Sequence, residues 1–158
     1  MQLKPRLKIN LFQALGTTAY KAKDFETAMT HYQKAYEIYV KDISPLTNMA
    51  ACKFEQDDFD GCIETCLDAI EKGREVMCDY TLIGKAFVRI GNTHMRRAAR
   101  AEGFEAKEPF YNEAIEAYAK SLLEHYTNDG TCCCGFLPSL TRLWLLQHSI
   151  VRRKQSSC

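Results

Sequence analysis

Neither sign of charge is in excess in this chain of 158 residues, which carries 21 basic and 20 acidic side chains. A near-neutral chain lacks the electrostatic field expected of a protein that binds nucleic acid or a charged membrane surface. Long apolar runs are also missing: residues 143–146 form one of the longest, whereas a membrane span needs about 20 apolar residues. Residues 1–6 are basic but precede no apolar run, so we expect neither a membrane protein nor a secretory signal.

Motifs that carry catalysis are missing as well. The sequence has no glycine-rich phosphate loop, no nucleophile elbow and no histidines at metal-binding spacing. The remaining candidates are cysteine nucleophiles such as Cys66 with His125, His94 or His31 as the base. An apolar helical setting raises the pKa of a thiol and so weakens it as a nucleophile. We therefore predict no enzyme activity, no catalytic residue and no cofactor.

Cysteine, by contrast, is plentiful, with eight residues. Cys52, Cys62 and Cys66 occupy apolar helical positions, where free cysteine behaves as a small buried hydrophobe. A secreted disulfide scaffold is the alternative, but this placement favours reduced thiols in the cytoplasm. The cysteine run 132–134 has no second pair of ligands at a suitable spacing, so we predict no metal site.

A helical motif that recurs at an offset of 34 residues is the most informative feature present. The copies place small residues and their partners at matching positions: Gly16 and Tyr32, Ala50 and Cys66, then, after an insertion, Gly91 and Tyr118. Such a period is typical of stacked helix-turn-helix units, which bury a core only by packing on each other. We predict an all-α array of three units, and arrays of this kind usually bind other proteins.

The three helix pairs are predicted at 9–40, 44–73 and 79–125, which makes a repeat domain of residues 9–126. Ser44 and Asp79 are the expected N-caps, with Pro45 in the first turn of its helix. The last helix should start after Pro109. Residues 97–108 replace the usual tight turn, either as extensions of the two helices or as a protruding loop. The basic cluster Arg96, Arg97 and Arg100 lies there and is either a solvated helix end or an anion site.

Residues 127–158 depart from the repeat pattern and form a divergent tail. Within it, residues 139–153 are basic and carry leucines and a tryptophan. They fit either a capping helix that solvates the end of the array or unfolded sequence.

Several segments resemble one family in particular. Residues 19–25, 47–51, 69–75 and 84–92 are similar to the middle tetratricopeptide-repeat module of the co-chaperones that organise the heat-shock chaperones Hsp70 and Hsp90. The resemblance covers about residues 11 to 128. It implies a right-handed superhelical array of three tetratricopeptide repeats, and a cytoplasmic module, expected to be monomeric, with no nucleic-acid or membrane partner.

In that family the concave groove holds the C-terminal peptide Met-Glu-Glu-Val-Asp of Hsp90, and a carboxylate clamp grips its terminal Asp. The resemblance assigns Asn48, Lys85 and Arg89 to the clamp, and Tyr20, Glu55 and Asn92 to the groove. Carboxylates accept hydrogen bonds only, so a clamp needs cations and amide donors. Lys85 and Arg89 lie one helical turn apart and therefore share a face. The alternatives are a solvated pair of cations and a hydrogen bond from Asn48 within the core.

Two positions depart from the family. Gln13 and Thr17 stand where the family's clamp has Lys and Asn, so one positive charge is missing. A charge-assisted hydrogen bond is worth about 1.5–3 kcal/mol, which predicts roughly ten- to hundredfold weaker binding. Lys8 or Lys21 would substitute only if the first helix shifted. We therefore expect weakened recognition of the Hsp90 tail, with Hsp70 as a second candidate partner. The alternative is a repeat scaffold that has lost tail binding and docks a different protein.

Overall fold

Three helix pairs make up the part of the chain that the computed structural model describes, residues 5–126. The helices are α1 (Pro5–Lys21), α2 (Phe25–Ile38), α3 (Ser44–Glu55), α4 (Phe59–Glu75), α5 (Tyr80–Arg100) and α6 (Phe104–Tyr126). Each helix packs against the next one in the chain, and residues 5–126 contain no strand. The predicted all-α array of three pairs is confirmed. The tail after residue 126, with its candidate capping helix 139–153, lies outside the described residues.

Aspartates cap the N-termini of three of the helices. The side chains of Asp24, Asp58 and Asp79 each accept a hydrogen bond from a backbone N–H in the first turn, at 2.9–3.2 Å. Such caps satisfy N–H groups that have no partner within the helix. The prediction that Asp79 caps α5 is confirmed. No helix of residues 5–126 is both long and apolar enough to cross a membrane.

The prediction that Ser44 caps α3 is wrong. Ile43 occupies the cap position and Ser44 is the first helical residue. Asp42 satisfies this helix end instead, because its Oδ1 accepts a hydrogen bond from the Ser44 N–H at 2.9 Å. Pro45 does lie in the first turn, where its missing N–H costs no intrahelical bond.

Residues 97–108 extend both helices of the third pair. α5 ends at Arg100, α6 begins at Phe104, and Gly103 turns the chain between them with φ 85°. The prediction that the last helix starts after Pro109 is therefore wrong. Proline removes one helical hydrogen bond at this position, but the alanine, lysine and glutamates of 105–108 favour helix strongly enough to extend it backwards. With 21 and 23 residues, α5 and α6 are longer than the four preceding helices.

The core contains three of the cysteines. Cys52 packs with Ala28 and Tyr32 between the first two pairs, and Cys62 and Cys66 pack in a larger cluster formed mainly by α4 and α5. All three are free thiols and fully buried, as predicted. Burial raises the pKa of Cys52 to about 11. The hydrogen bond with Cys62, together with burial, also raises the pKa of Cys66, so this thiol is a poor nucleophile.

Small and large residues are matched where the two helices of a pair touch. A Cβ atom added at Gly16 would lie 2.6 Å from Cε1 of Tyr32, and one added at Gly91 would lie 2.6 Å from Cε1 of Tyr118. In the second pair the corresponding residues are Ala50 and Cys66, both fully buried. A larger residue on the first helix of a pair therefore accompanies a smaller one on the second helix. This exchange of volume explains the pattern that recurs in the sequence.

Replacing Gly91 by alanine is expected to destabilise the protein by about 1–2 kcal/mol. Overpacking against the Tyr118 ring costs about 1–3 kcal/mol, which outweighs the gain of up to about 1 kcal/mol from the better helix former. Urea unfolding measures the change. The double variant Gly91→Ala/Tyr118→Leu should lose less stability than the sum of the two single variants, because the shorter side chain at position 118 makes room for the added methyl group. Losses that simply add would contradict the contact as the cause.

Candidate functional site

A cavity of about 290 Å³ lies between α3 and α5, the first helices of the second and third pairs. Its lining residues are Thr47, Asn48, Lys85, Val88, Arg89 and Asn92. The structure thus brings together the three residues assigned to the clamp, Asn48, Lys85 and Arg89, and one of the three groove residues, Asn92.

The α5 side of this cavity is a single stripe of the helix. Lys85, Val88, Arg89 and Asn92 recur at steps of three and four residues, so their side chains share one face. Ile83 and Phe87 are buried on the other side and hold the helix against the core. Packing of the apolar face therefore sets the direction in which the two cations point.

The cavity is cationic and has no acidic residue in its lining. None of the ion pairs within residues 5–126 involves Lys85 or Arg89. Lys85 is exposed, whereas Arg89 is half-buried and its Nε atom is buried without a hydrogen-bond partner. A buried donor left unpaired costs about 1–3 kcal/mol.

The two asparagines supply amide groups at the same place. The Tyr118 hydroxyl donates to Oδ1 of Asn92 at 2.7 Å, so the amide N–H groups of Asn92 remain for a ligand. Asn48 is half-buried and makes no side-chain hydrogen bond with another residue of the described chain. Asn48 therefore does not form the hydrogen bond within the core that was the alternative to a role in the clamp. Cations and amide donors together suit a carboxylate.

Gln13 and Thr17, the two divergent clamp positions, do not line this cavity. Nε2 of Gln13 donates to Oδ2 of Asp42 at 3.1 Å. The Thr17 hydroxyl donates to the Gln13 carbonyl oxygen at 2.8 Å and accepts from the Tyr32 hydroxyl at 3.3 Å. Both side chains therefore already have partners within the protein.

The other two assigned groove residues, Tyr20 and Glu55, also lie outside the cavity lining. Tyr20 packs edge-on against Phe25 with ring centroids 5.7 Å apart. It also borders the core cluster that contains Cys52. Burial and the charge of Glu55 raise the pKa of Tyr20, while Arg89 opposes the shift. Glu55 is exposed, and its Oε1 lies 3.8 Å from Nη1 of Arg96. Tyr20 thus packs against the core, and its role in peptide binding stays a prediction.

The arginine cluster at the end of α5 binds the turn between α3 and α4 and the first turn of α4, which neither of its two predicted roles anticipated. Arg96 and Arg100 pair with Asp57, and Arg97 pairs with Asp60. The guanidinium of Arg96 also lies 4.6 Å from the ring centroid of Phe54, and that of Arg100 lies 4.9 Å from Phe59. These contacts attach the extended α5 to the preceding pair. The sequence does carry a signal for these contacts, namely a run of arginines three and four residues apart together with aspartates near the turn of the preceding pair.

A second cavity, of about 210 Å³, lies among α4, α5 and α6 and is lined partly by Phe87, Ile90 and Ala117. His94 borders it, with Nδ1 at 2.9 Å from Oε2 of Glu113. Burial lowers the pKa of His94, although the Glu113 carboxylate opposes the shift. Within residues 5–126, no group of three or more His, Cys, Asp or Glu side chains is arranged to hold a metal ion.

Stability should fall as the pH drops from 7 to 5, partly because of His94. Its pKa is lower in the folded chain than in the unfolded one, so the unfolded chain binds more protons once the pH falls below about 6.5. The His94→Gln variant should therefore show a smaller loss of unfolding free energy over this range. His31→Gln is the matched control for losing a histidine. Equal pH dependence in His94→Gln and the wild type would contradict the role of His94.

Comparisons with known proteins give consistent relatives, although no family model matches the chain. The chain is 44% identical over 115 residues to Hsp70-Hsp90 organizing protein 1 of Arabidopsis thaliana, covering 73% of this chain and 19% of that protein. It is 43% identical over 115 residues to the heat shock protein sti1 homolog of Schizosaccharomyces pombe, covering 73% of this chain and 17% of that protein. The chain thus spans less than a fifth of the length of these curated relatives.

Two solved structures agree with these relatives. The N-terminal domain of stress-induced protein-1 from C. elegans is 35% identical with a TM-score of 0.61, and the match covers 78% of this chain and 88% of that domain. The TPR2AB-domain:pHSP90-complex of yeast Sti1 is 34% identical with a TM-score of 0.64. That match covers 94% of this chain and 50% of the yeast one.

Proposed function

Because the chain belongs to the tetratricopeptide-repeat family of the Hsp70-Hsp90 organizing proteins and Sti1, we propose that it binds the acidic C-terminal tail of Hsp90 through the cavity between α3 and α5. The observation that carries this proposal is the juxtaposition of unpaired Lys85 and Arg89 with Asn48 in a cavity without acidic residues. We further propose that the chain acts as a cytoplasmic, monomeric binding module and not as an enzyme.

In this proposal the tail Met-Glu-Glu-Val-Asp lies extended along the first helices of the three pairs, α1, α3 and α5. A carboxylate at its end accepts hydrogen bonds from Lys85 and from the guanidinium of Arg89. The amides of Asn48 and Asn92 donate to the remaining acceptor positions, while Val88 offers apolar contact. Charge-assisted bonds of this kind are worth about 1.5–3 kcal/mol each, so Lys85 and Arg89 supply most of the affinity.

Calorimetric titration of the full chain with Met-Glu-Glu-Val-Asp tests the proposal, with Met-Gln-Gln-Val-Asn amide as the carboxylate-free control. The acidic peptide should bind, and its affinity should fall as the ionic strength rises, because salt screens the attraction. The control should not bind. Equal binding of both peptides, or of neither, would overturn the proposal. The tail of Hsp70 in the same titration shows which chaperone is preferred.

A repeat scaffold that docks a different protein is the rival proposal, and one surface favours it. Leu7, Leu11 and Leu15 recur every four residues on α1 and are 56%, 49% and 41% exposed. An apolar row of this kind suits docking of another protein. Binding through it should change little with salt, and Leu11→Lys should abolish it without affecting the peptide titration.

A further inference from the structure

We infer that the groove has one anion site, so that it recognises a single carboxylate at a peptide end and does not need both carboxylates of a terminal aspartate. This inference rests on the proposed function and specifies the class of ligand. The ligand would be a peptide that ends either in an acidic residue or in a free main-chain carboxylate. It is based on the separation between the cationic cavity, formed by α3 and α5, and the uncharged clamp positions Gln13 and Thr17 on α1.

The donors that line the cavity lie on α3 and α5. Lys85, Arg89, Asn48 and Asn92 line one cavity of about 290 Å³, and no residue of α1 reaches its lining. The cavity is large enough for a carboxylate together with the short side chain that carries it. Lys85 and Arg89 lie one helical turn apart and both border this one cavity, so a single carboxylate can pair with both of them.

The two clamp positions on α1 offer a second carboxylate only one free N–H, that of Gln13. One N–H of Gln13 is directed to the Asp42 carboxylate, at 3.1 Å, and the only proton of the Thr17 hydroxyl goes to a backbone carbonyl. Thr17 therefore meets a second carboxylate as an acceptor only. Asp42 adds a negative charge next to Gln13, which disfavours another anion there. For Thr17 to donate to a second carboxylate, its hydrogen bond to the Gln13 carbonyl oxygen would have to break.

Four peptides that differ only at the last residue separate the two carboxylates. They are Met-Gln-Gln-Val-Asp and Met-Gln-Gln-Val-Asn, each as the free acid and as the C-terminal amide. The upstream glutamines ensure that no other carboxylate can enter the cavity. Each is titrated into the full chain, alongside Met-Glu-Glu-Val-Asp as the test of the proposed function itself.

One anion site predicts that the three peptides with at least one terminal carboxylate bind within about threefold of each other. The Asn amide, which has none, should bind at least about tenfold more weakly, because it lacks the charge-assisted bonds. A two-carboxylate peptide that binds about tenfold or more tightly than both single-carboxylate peptides would overturn the inference. So would equal binding of the Asn amide, or loss of all four peptides while Met-Glu-Glu-Val-Asp still binds.

Failure of the proposed function is recognisable separately. Absence of binding by Met-Glu-Glu-Val-Asp overturns the proposed function and the inference together. Binding by that peptide with a clear preference for both terminal carboxylates overturns only the inference. The Lys85→Met variant, which keeps the length of the apolar stem, should weaken all three carboxylate peptides by the same factor, since all three use the same site.

Discussion

Replacement of Lys85 by glutamate is expected to weaken binding of Met-Glu-Glu-Val-Asp by about 100-fold or more. The change removes a charge-assisted bond and places a negative charge beside the carboxylate of the ligand. Arg89 is then the only cation in the cavity lining. Calorimetric titration measures the effect on affinity. The fold should be unaffected, within about 0.5 kcal/mol in urea unfolding, because Lys85 is exposed and forms no ion pair within residues 5–126.

Lys34→Glu is the matched control for this experiment. Lys34 is an exposed lysine of α2 that lies outside the cavity, so the variant has the same net charge as Lys85→Glu. Its affinity should fall only by the small, salt-sensitive amount expected from a distant charge. Equal losses in the two variants would show that net charge, and not the cavity, governs binding.

Restoring the missing part of the clamp is expected to strengthen binding of the two-carboxylate peptide by about ten- to hundredfold. The variant that achieves this is Gln13→Lys/Thr17→Asn/Asp42→Asn. A lysine at position 13 alone would pair with Asp42, which already binds the Gln13 amide. An ion pair near the surface is worth up to about 1 kcal/mol, so Gln13→Lys/Thr17→Asn without Asp42→Asn should gain about fivefold less.

The peptides that differ at the last residue show whether the gain has the expected cause. In the triple variant the free acid ending in Asp should bind more tightly than both single-carboxylate peptides, because a second anion site now exists. Asparagine at position 42 can still accept the hydrogen bond from the Ser44 N–H, so unfolding in urea should change little. An unchanged affinity in the triple variant would contradict the idea that position 13 limits binding.

The fold was predictable because repeat arrays are built from local features. Periodic apolar residues, the aspartate before α5 and the small residues at helix contacts all act within a helix or between neighbouring helices. Errors arose where two local signals competed. Pro109 suggested a helix start, but the helix formers before it extended α6 back to Phe104. Ser44 resembled an N-cap, but Asp42 binds the first N–H of α3.

The site was partly predictable, for a different reason. Lys85 and Arg89 are one turn apart, so helical geometry alone places them on one face. Asn48 came from the resemblance, since no rule of spacing joins residues on two helices. Their placement in one cavity agrees with that assignment, whereas the role of Asn48 in binding stays a prediction. Asp42 was missed, because nothing in its neighbourhood in the sequence links it to Gln13, 29 residues earlier.

The sequence by itself determined the helical pairs, the buried cysteines and the common direction of Lys85 and Arg89, because these depend on periods within one helix or on a pattern that repeats along the chain. Only the tertiary structure decided which of the predicted clamp residues meet. It placed Asn48 with the cations of α5, bound Gln13 to Asp42, and attached the arginines at the end of α5 to the turn before α4 and to the first turn of α4. These contacts join residues that are distant in the chain, and such contacts depend on how the helices stack.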